Sequence, residues 1–288
     1  MNRIIAGIKR ACGLHRPGRG MSILPDDLFI VSYPKSGNTW MRFLIANLLY
    51  PEEPTTFANV DSRIPEAEQL TKRELDRMRR PRIMKTHQYL DLRYPRVIYI
   101  VRDPRDVVVS EYHFFRKREW IEDNFPIEQF VDRFLAGKTS DYGSWEEHVI
   151  SWIATRGRHT RFLLLRYEDM LADTVGNFAR VASFLDIRAT QEQLKQAVDR
   201  SSADQMRKLE RTWPRASSVM RIGRADIPFV RSAHAGDWKS SLPKSSVAEM
   251  EAVLGPFMQW LGYDLLFPGI FDGHEPSFPA AVLGTPVR

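Results

Sequence analysis

The chain has 288 residues, 43% hydrophobic and 27% charged, with a net charge of +6. That is enough apolar material for one large domain, and the basic residues are spread rather than gathered in a patch, which argues against general nucleic-acid binding. A single cysteine, Cys12, excludes an intrachain disulfide and a cysteine zinc site, in keeping with a reducing cytoplasm, and no apolar run approaches the ~20 residues of a membrane span.

In chain order, residues 1–24 read as a basic arm. Lys9 and Arg10 interrupt its apolar residues, so it lacks the apolar segment of a signal peptide. A short amphipathic helix on a membrane surface would need a larger apolar face than the arm offers. The first strand is expected at Leu28–Tyr33 and the first helix at Thr39–Leu49. Further strands are expected at Arg82–Thr86, Arg96–Val101 and Arg161–Arg166. Each is short, mostly apolar and rich in Ile, Val, Leu, Phe or Tyr, as strands covered on both faces are. Helices are expected at Pro104–Lys117, Ile127–Ala136, Ser144–Thr155, Val175–Leu185, Gln191–Val198 and Ser245–Leu261. Residues 266–288 read as a loose tail, which leaves 25–265 as one domain. The alternation predicts a three-layer α/β fold, a central and mainly parallel sheet flanked by helices. Ligands of such sheets bind at the carboxyl ends of the strands.

Three strand ends carry candidate chemistry. After the first strand comes Pro34-Lys35-Ser36-Gly37-Asn38, and then a helix. Gly37 can take positive φ, and a helix N-terminus offers unpaired N–H groups, so the turn has the form of an anion site. Lys35 adds a mobile charge, and Ser36, Asn38 and Thr39 add neutral donors. It is not the Walker pattern, because the lysine precedes the Ser-Gly pair. An ordinary turn with an exposed lysine fits these residues equally well. Arg102 ends the third strand, and Ser110 follows about two turns into the helix opened by Pro104. Arginine forks onto phosphate oxygens, although Arg102 and Asp103 could equally pair with neighbours. Lys85 and His87 leave the second strand, where a histidine is well placed as a base; a satisfied structural histidine is the commoner case. His113 and His148 read as packing. Further on, the small residues of "FVRSAHAGDWKSSLP" describe a loop that could close over a ligand, with Trp238 as its anchor.

Together these segments resemble the sulfotransferase family that uses 3′-phosphoadenosine 5′-phosphosulfate (PAPS). "YPKSGNTW" at Tyr33–Trp40 is similar to Y-P-K-S-G-T-T-W, and Lys85-Thr86-His87 to K-T-H. Arg102, Asp106 and Ser110 fit R-x-x-x-D-x-x-x-S. "YGSWEEHVISW" at Tyr142–Trp152, "YEDM" at Tyr167–Met170 and "RSAHAGDWK" at Arg231–Lys239 complete the set, in order from about residue 25 to 265. The resemblance implies a P-loop-like turn in which Lys35, Ser36, Gly37, Asn38 and Thr39 hold the 5′-phosphosulfate. Arg102, Ser110 and Arg231, with Ser232 and Ala233 beside it, would hold the 3′-phosphate. Trp40, Tyr167 and Phe229 would meet the adenine, and Ser201 would belong to the same cofactor site. His87 would be the general base, and Lys35, Lys85 and Ser110 would complete the catalytic set, with Ser110 restraining Lys35. PAPS would be the co-substrate, without a metal, and 3′-phosphoadenosine 5′-phosphate (PAP) the product.

Four departures stand out from the family pattern. Asn38 replaces a usual Thr; its amide can still donate. Ser232 and Ala233 replace Lys and Gly. Ala203 stands where the animal enzymes usually carry Phe. The family's short C-terminal dimer segment is not matched after Lys239, which leaves the oligomeric state open. The acceptor pocket is expected in Tyr50–Arg63, Gln88–Tyr94, Phe114–Phe125 and Thr212–Phe229, with Tyr89, Phe114 and Tyr142 as contacts. Its aromatic residues suit a phenol, sterol, lipid or sugar face. Two other classes compete: a magnesium-dependent kinase, against which the missing Walker segment stands, and a non-catalytic sensor of the bisphosphate nucleotide.

Overall fold

The computed structural model describes residues 21–213 and 223–269. The arm before residue 21, with Cys12, lies outside the described residues. So do the tail from residue 270 and residues 214–222 of the expected acceptor loops. Four strands form the centre: β1 Leu28–Ser32, β2 Ile83–Thr86, β3 Arg96–Val101 and β4 Phe162–Arg166. They pair in parallel in the order β2-β1-β3-β4. Helices in chain order are α1 Asn38–Leu49, α2 Val60–Arg63, α3 Lys72–Arg77, α4 Pro104–Lys117, α5 Ile127–Leu135 and α6 Trp145–Arg156. They continue as α7 Tyr167–Ala172, α8 Thr174–Phe184, α9 Gln191–Arg200, α10 Ala203–Thr212, α11 Trp238–Ser241 and α12 Lys244–Trp260.

Alternation along the strands builds the three layers. Phe29, Val31, Val97, Tyr99 and Val101 pack into one cluster with apolar residues of α4, α5, α6 and α12. Leu28, Ile30, Ile98 and Ile100 face the other way, onto α1, α8 and α9. Burial of each such side chain contributes about 1.5–3 kcal/mol before the entropy of ordering is counted. Local signals set where the helices start. Ser144 and Glu147 form a reciprocal capping box at α6, as Thr71 and Glu74 do at α3. At α4 the Asp103 side chain accepts from Arg105 N, with Pro104 at the first helical position.

The strand order positions the site. β1 lies inside the sheet, with β2 on one side and β3 on the other. The chain leaves β1 toward one edge and later returns across to β3, so the carboxyl ends of β1 and β3 flank a crevice. Ligands of open parallel sheets bind at such a switch point. The Pro34–Asn38 turn follows β1 there, and Arg102 follows β3. Among the described residues, no helix is long and apolar enough to cross a membrane.

Candidate functional site

The turn after β1 is a cradle built on unusual backbone. Lys35 has φ 65° and Gly37 φ 103°, both left-handed. A Cβ on Gly37 would stand 2.7 Å from Cδ2 of Tyr167, so only glycine fits. Gly37 is also the N-cap of α1, where no side chain caps the helix, so its first N–H groups remain for a ligand. Ser36 is buried, and its hydroxyl has no hydrogen-bond partner among the described residues. Asn38 uses its side chain within the protein. Its amide nitrogen donates to Ile30 O (3.2 Å), Ser32 Oγ (3.3 Å) and Thr86 O (3.2 Å). The side-chain donor thus ties β1 to β2, and only the backbone N–H of Asn38 is left for an anion.

The Lys35 ammonium lies 4.4 Å from the Phe114 ring centre and 4.6 Å from that of Phe229. Cations are attracted to such ring faces. Burial lowers its pKa to about 8; Glu111 opposes the shift, and Arg102 and Arg231 add to it. Glu111 was not foreseen. It follows Ser110 on α4, is buried, lines the cavity and accepts from Thr139 Oγ1 at 2.9 Å. Burial pushes its carboxyl up to about 8. Ser110 lines the cavity too, but no hydrogen bond joins it to Lys35 among the described residues. The two aromatic rings are the neighbours that the Lys35 ammonium faces.

At the end of β2, His87 Nδ1 lies 2.8 Å from Ser32 O. A carbonyl only accepts, so Nδ1 carries the hydrogen and Nε2 keeps its lone pair. Burial, then the charge of Lys85, holds the ring's pKa well below the usual histidine value. Lys85 itself pairs with Glu66 at 2.8 Å, and Gln69 Nε2 donates to the other Glu66 oxygen at 2.6 Å. The Lys85 ammonium is thus paired with a carboxylate on the cavity wall.

Beyond β3, Arg102 joins two segments. It donates to Lys35 O and to His234 O, each at 3.1 Å, and lies 4.4 Å over the Tyr167 ring. Its Nε has no partner among the described residues. Asp106 docks the loop expected to close: its carboxylate accepts from Gly236 N (2.7 Å) and Trp238 N (3.1 Å). Within that loop Arg231 pairs with Asp237 at 2.8 Å, and the Ser232 hydroxyl donates to the same carboxylate. Ala233 takes φ 54°. Trp238 is the buried anchor, with the Arg105 guanidinium 3.9 Å from its ring centre. From α10, Glu210 accepts from Phe229 N (2.5 Å) and Val230 N (2.9 Å), which fixes the Phe229 ring in place.

These parts enclose one cavity of about 530 Å³. Lys35, Gly37, Asn38, Thr39, Arg102, Ser110 and Arg231–Ala233 line it, with Lys85 and His87 on its wall. Trp40, Tyr167, Phe229 and Ala203 also line it, with the Trp40 and Tyr167 rings edge to face at 5.7 Å. Ser201 is not on this wall. It is buried behind Trp40, its hydroxyl donating to Ala197 O and accepting from Asn47, and it acts on the slot only by accepting from Trp40 Nε1 at 3.1 Å. Glu111, Phe114, Phe115, Trp120, Lys138, Thr139, Ser140 and Tyr142 line the cavity as well. Tyr142 is 5.9 Å from His87, ring centre to ring centre. Tyr89 is not on this wall; it is 39% exposed and stands edge-on to His148.

The fold and site define a parallel α/β protein with an anion-binding turn at its switch point. The family model of the sulfotransferase domain matches residues 25–262, and the chain belongs to that family. Sulfotransferase 2B1 of Homo sapiens is 30% identical over 264 residues, covering 88% of this chain and 71% of that protein. In fold the chain is similar to a mouse sulfotransferase solved in complex with PAP, with a TM-score of 0.68, 24% identity and coverage of 83% of this chain and 86% of that one. It is also similar to retinol dehydratase solved with androsterone and PAP, with a TM-score of 0.64, 22% identity and coverage of 86% and 84%.

Proposed function

We propose that the protein moves the sulfuryl group of PAPS to an acceptor hydroxyl or amine by in-line transfer, with His87 as general base. One observation carries this reading. Ser36 Oγ and Arg102 Nε are buried donors without partners among the described residues, and they stand on the two sides of the switch point. Buried donors left unpaired cost about 1–3 kcal/mol each, a cost that an anion bound between them would relieve. The residues therefore fit a nucleotide with phosphate at both ends. PAPS supplies an activated sulfuryl group and a leaving group that departs as an anion.

The chain's own residues do the rest. Ser36, Gly37 and the first N–H groups of α1 receive the 5′ end. Lys35 turns from its aromatic neighbours to meet charge that develops on the leaving oxygen. Arg102, Ser110 and Arg231 receive the 3′-phosphate, while Trp40, Tyr167 and Phe229 flank the base. His87 takes the acceptor's proton on Nε2, the nitrogen that its contact with Ser32 leaves open. The acceptor lies beside Phe114 and Tyr142. The polar groups there, Glu111, Lys138 and Ser140, favour a carbohydrate or a lipid-linked sugar over a plain phenol. Residues 25–265 act as one domain, working in the cytoplasm without nucleic acid or metal.

Release of PAP from PAPS, measured with phenol, sterol and sugar acceptors in chelator, tests the reading. Acceptor-dependent release is expected, reduced at least ~10²-fold in His87→Ala with PAP affinity retained. Full turnover in His87→Ala would remove it as base, and release that requires magnesium would favour phosphoryl transfer.

A further inference from the structure

His148 lies on α6, fully buried, 61 residues away in sequence from the base it serves. Its Nε2 is 3.1 Å from His87 O and 3.0 Å from Gln88 O. Both are carbonyl oxygens and only accept, so Nε2 carries the hydrogen. Nδ1 must then be the acceptor, and the Tyr99 hydroxyl lies 2.8 Å from it. One turn further along α6, Trp152 Nε1 donates to the same Gln88 carbonyl at 3.2 Å. His148 and Trp152 are four residues apart and share a face of the helix. Burial lowers the His148 pKa to about 4, which keeps the ring neutral and this donor–acceptor pattern intact at ordinary pH.

We propose that His148, oriented by Tyr99, is a positioning residue for His87. It fixes the backbone carbonyl of the base while Ser32 O fixes Nδ1 of the ring. The inference rests on the reading of His87 as general base. Chain geometry gives it force. His87 sits beyond the last paired residue of β2, since the ladder with β1 ends at Thr86. Among the described residues, the strand pairing does not extend to His87. The hydrogen bonds from α6 hold its carbonyl, joining the end of β2 to a core helix. Proton transfer needs the ring nitrogen within hydrogen-bond reach of the acceptor, and a small misplacement is costly.

The test uses His148→Phe and His148→Gln in the full chain, with Tyr99→Phe as a milder second variant. Phenylalanine fills the space without a donor, and the glutamine amide restores one. Three readouts are taken: kcat with a turned-over acceptor, PAP affinity, and the ¹⁵N NMR signals of the His87 ring. The proposal expects His148→Phe to lower kcat at least about tenfold, to leave PAP affinity within about twofold, and to shift the His87 ring away from a single Nδ1–H form. His148→Gln should recover most of the kcat. Tyr99→Phe should change the signals in the same sense and, if His148→Phe fails to fold, decides alone. An unchanged His87 ring spectrum in a folded variant overturns the proposal. So does equal loss of PAP affinity and kcat, the mark of a merely structural role. The NMR readout does not depend on turnover, so a His87→Ala protein that remains active would defeat the base reading separately.

Discussion

His87 shows how much one hydrogen bond can decide. Its contact with Ser32 O selects the tautomer and leaves Nε2 with the open lone pair, the atom through which the proposed base would act. Only the neutral ring can take a proton, so the rate falls as pH drops through the folded-state pKa. Burial and Lys85 hold that value well below 6.5. The acid limb of kcat/KM for the donor, which reports the free protein, should therefore lie below pH 6.5. Lys85→Met removes the second cause and should move the limb upward. A limb at or above 6.5 in the unaltered protein would contradict this account of the base.

At the scale of elements, α4 and the loop before α11 work as a unit. Asp106 is one turn into α4 and accepts from two backbone N–H groups of the loop. Asp106→Ala leaves both without that partner. PAP affinity should fall about 5–30-fold, the equivalent of roughly 1–2 kcal/mol, when measured by titration. An unchanged affinity would mean that the loop holds its place without Asp106. The strands and longer helices were legible in the sequence because burial on both faces leaves continuous apolar runs and caps leave local marks. Expected strand ends differed by about one residue, since Tyr33 already enters the turn. The short helices α2, α7 and α11 and the polar helix α10 were not foreseen: α10 offers little beyond Met206 and Leu209 as an apolar stripe, and tertiary contacts hold it. In the site, the turn after β1, Arg102, Ser110 and Arg231–Ala233 meet at one cavity, while Ser36, Ser201 and Tyr89 are not on its wall. Partners distant in sequence could not be read: Glu66 on Lys85, Thr139 on Glu111, and the sheet carbonyls on Asn38. The capping box at Thr71 and Glu74 was a signal for α3 that could have been used.

For the whole molecule, the site imposes a stability cost that pH exposes. The Glu111 carboxyl has a folded-state pKa of about 8, against a usual 4.5. Between those values the unfolded chain has lost the proton and the folded protein retains it. Stability from this group therefore falls as pH rises from 4.5 toward 8, by up to roughly 1.4 kcal/mol per pH unit. Glu111→Gln should gain in Tm relative to the unaltered protein across that window, and a constant difference would contradict the shift. The account rests most heavily on the anion site at the switch point. It is tested most directly by thermal unfolding with PAP, AMP, ADP and ATP–magnesium, with Lys35→Ala beside the unaltered protein. A ligand at about 100 times its dissociation constant adds ~2.7 kcal/mol, a shift of several degrees for a chain of this size. The account predicts that shift with PAP, little with AMP or ADP, and a reduced one in Lys35→Ala. A shift with ATP–magnesium alone, or none with PAP, would contradict it.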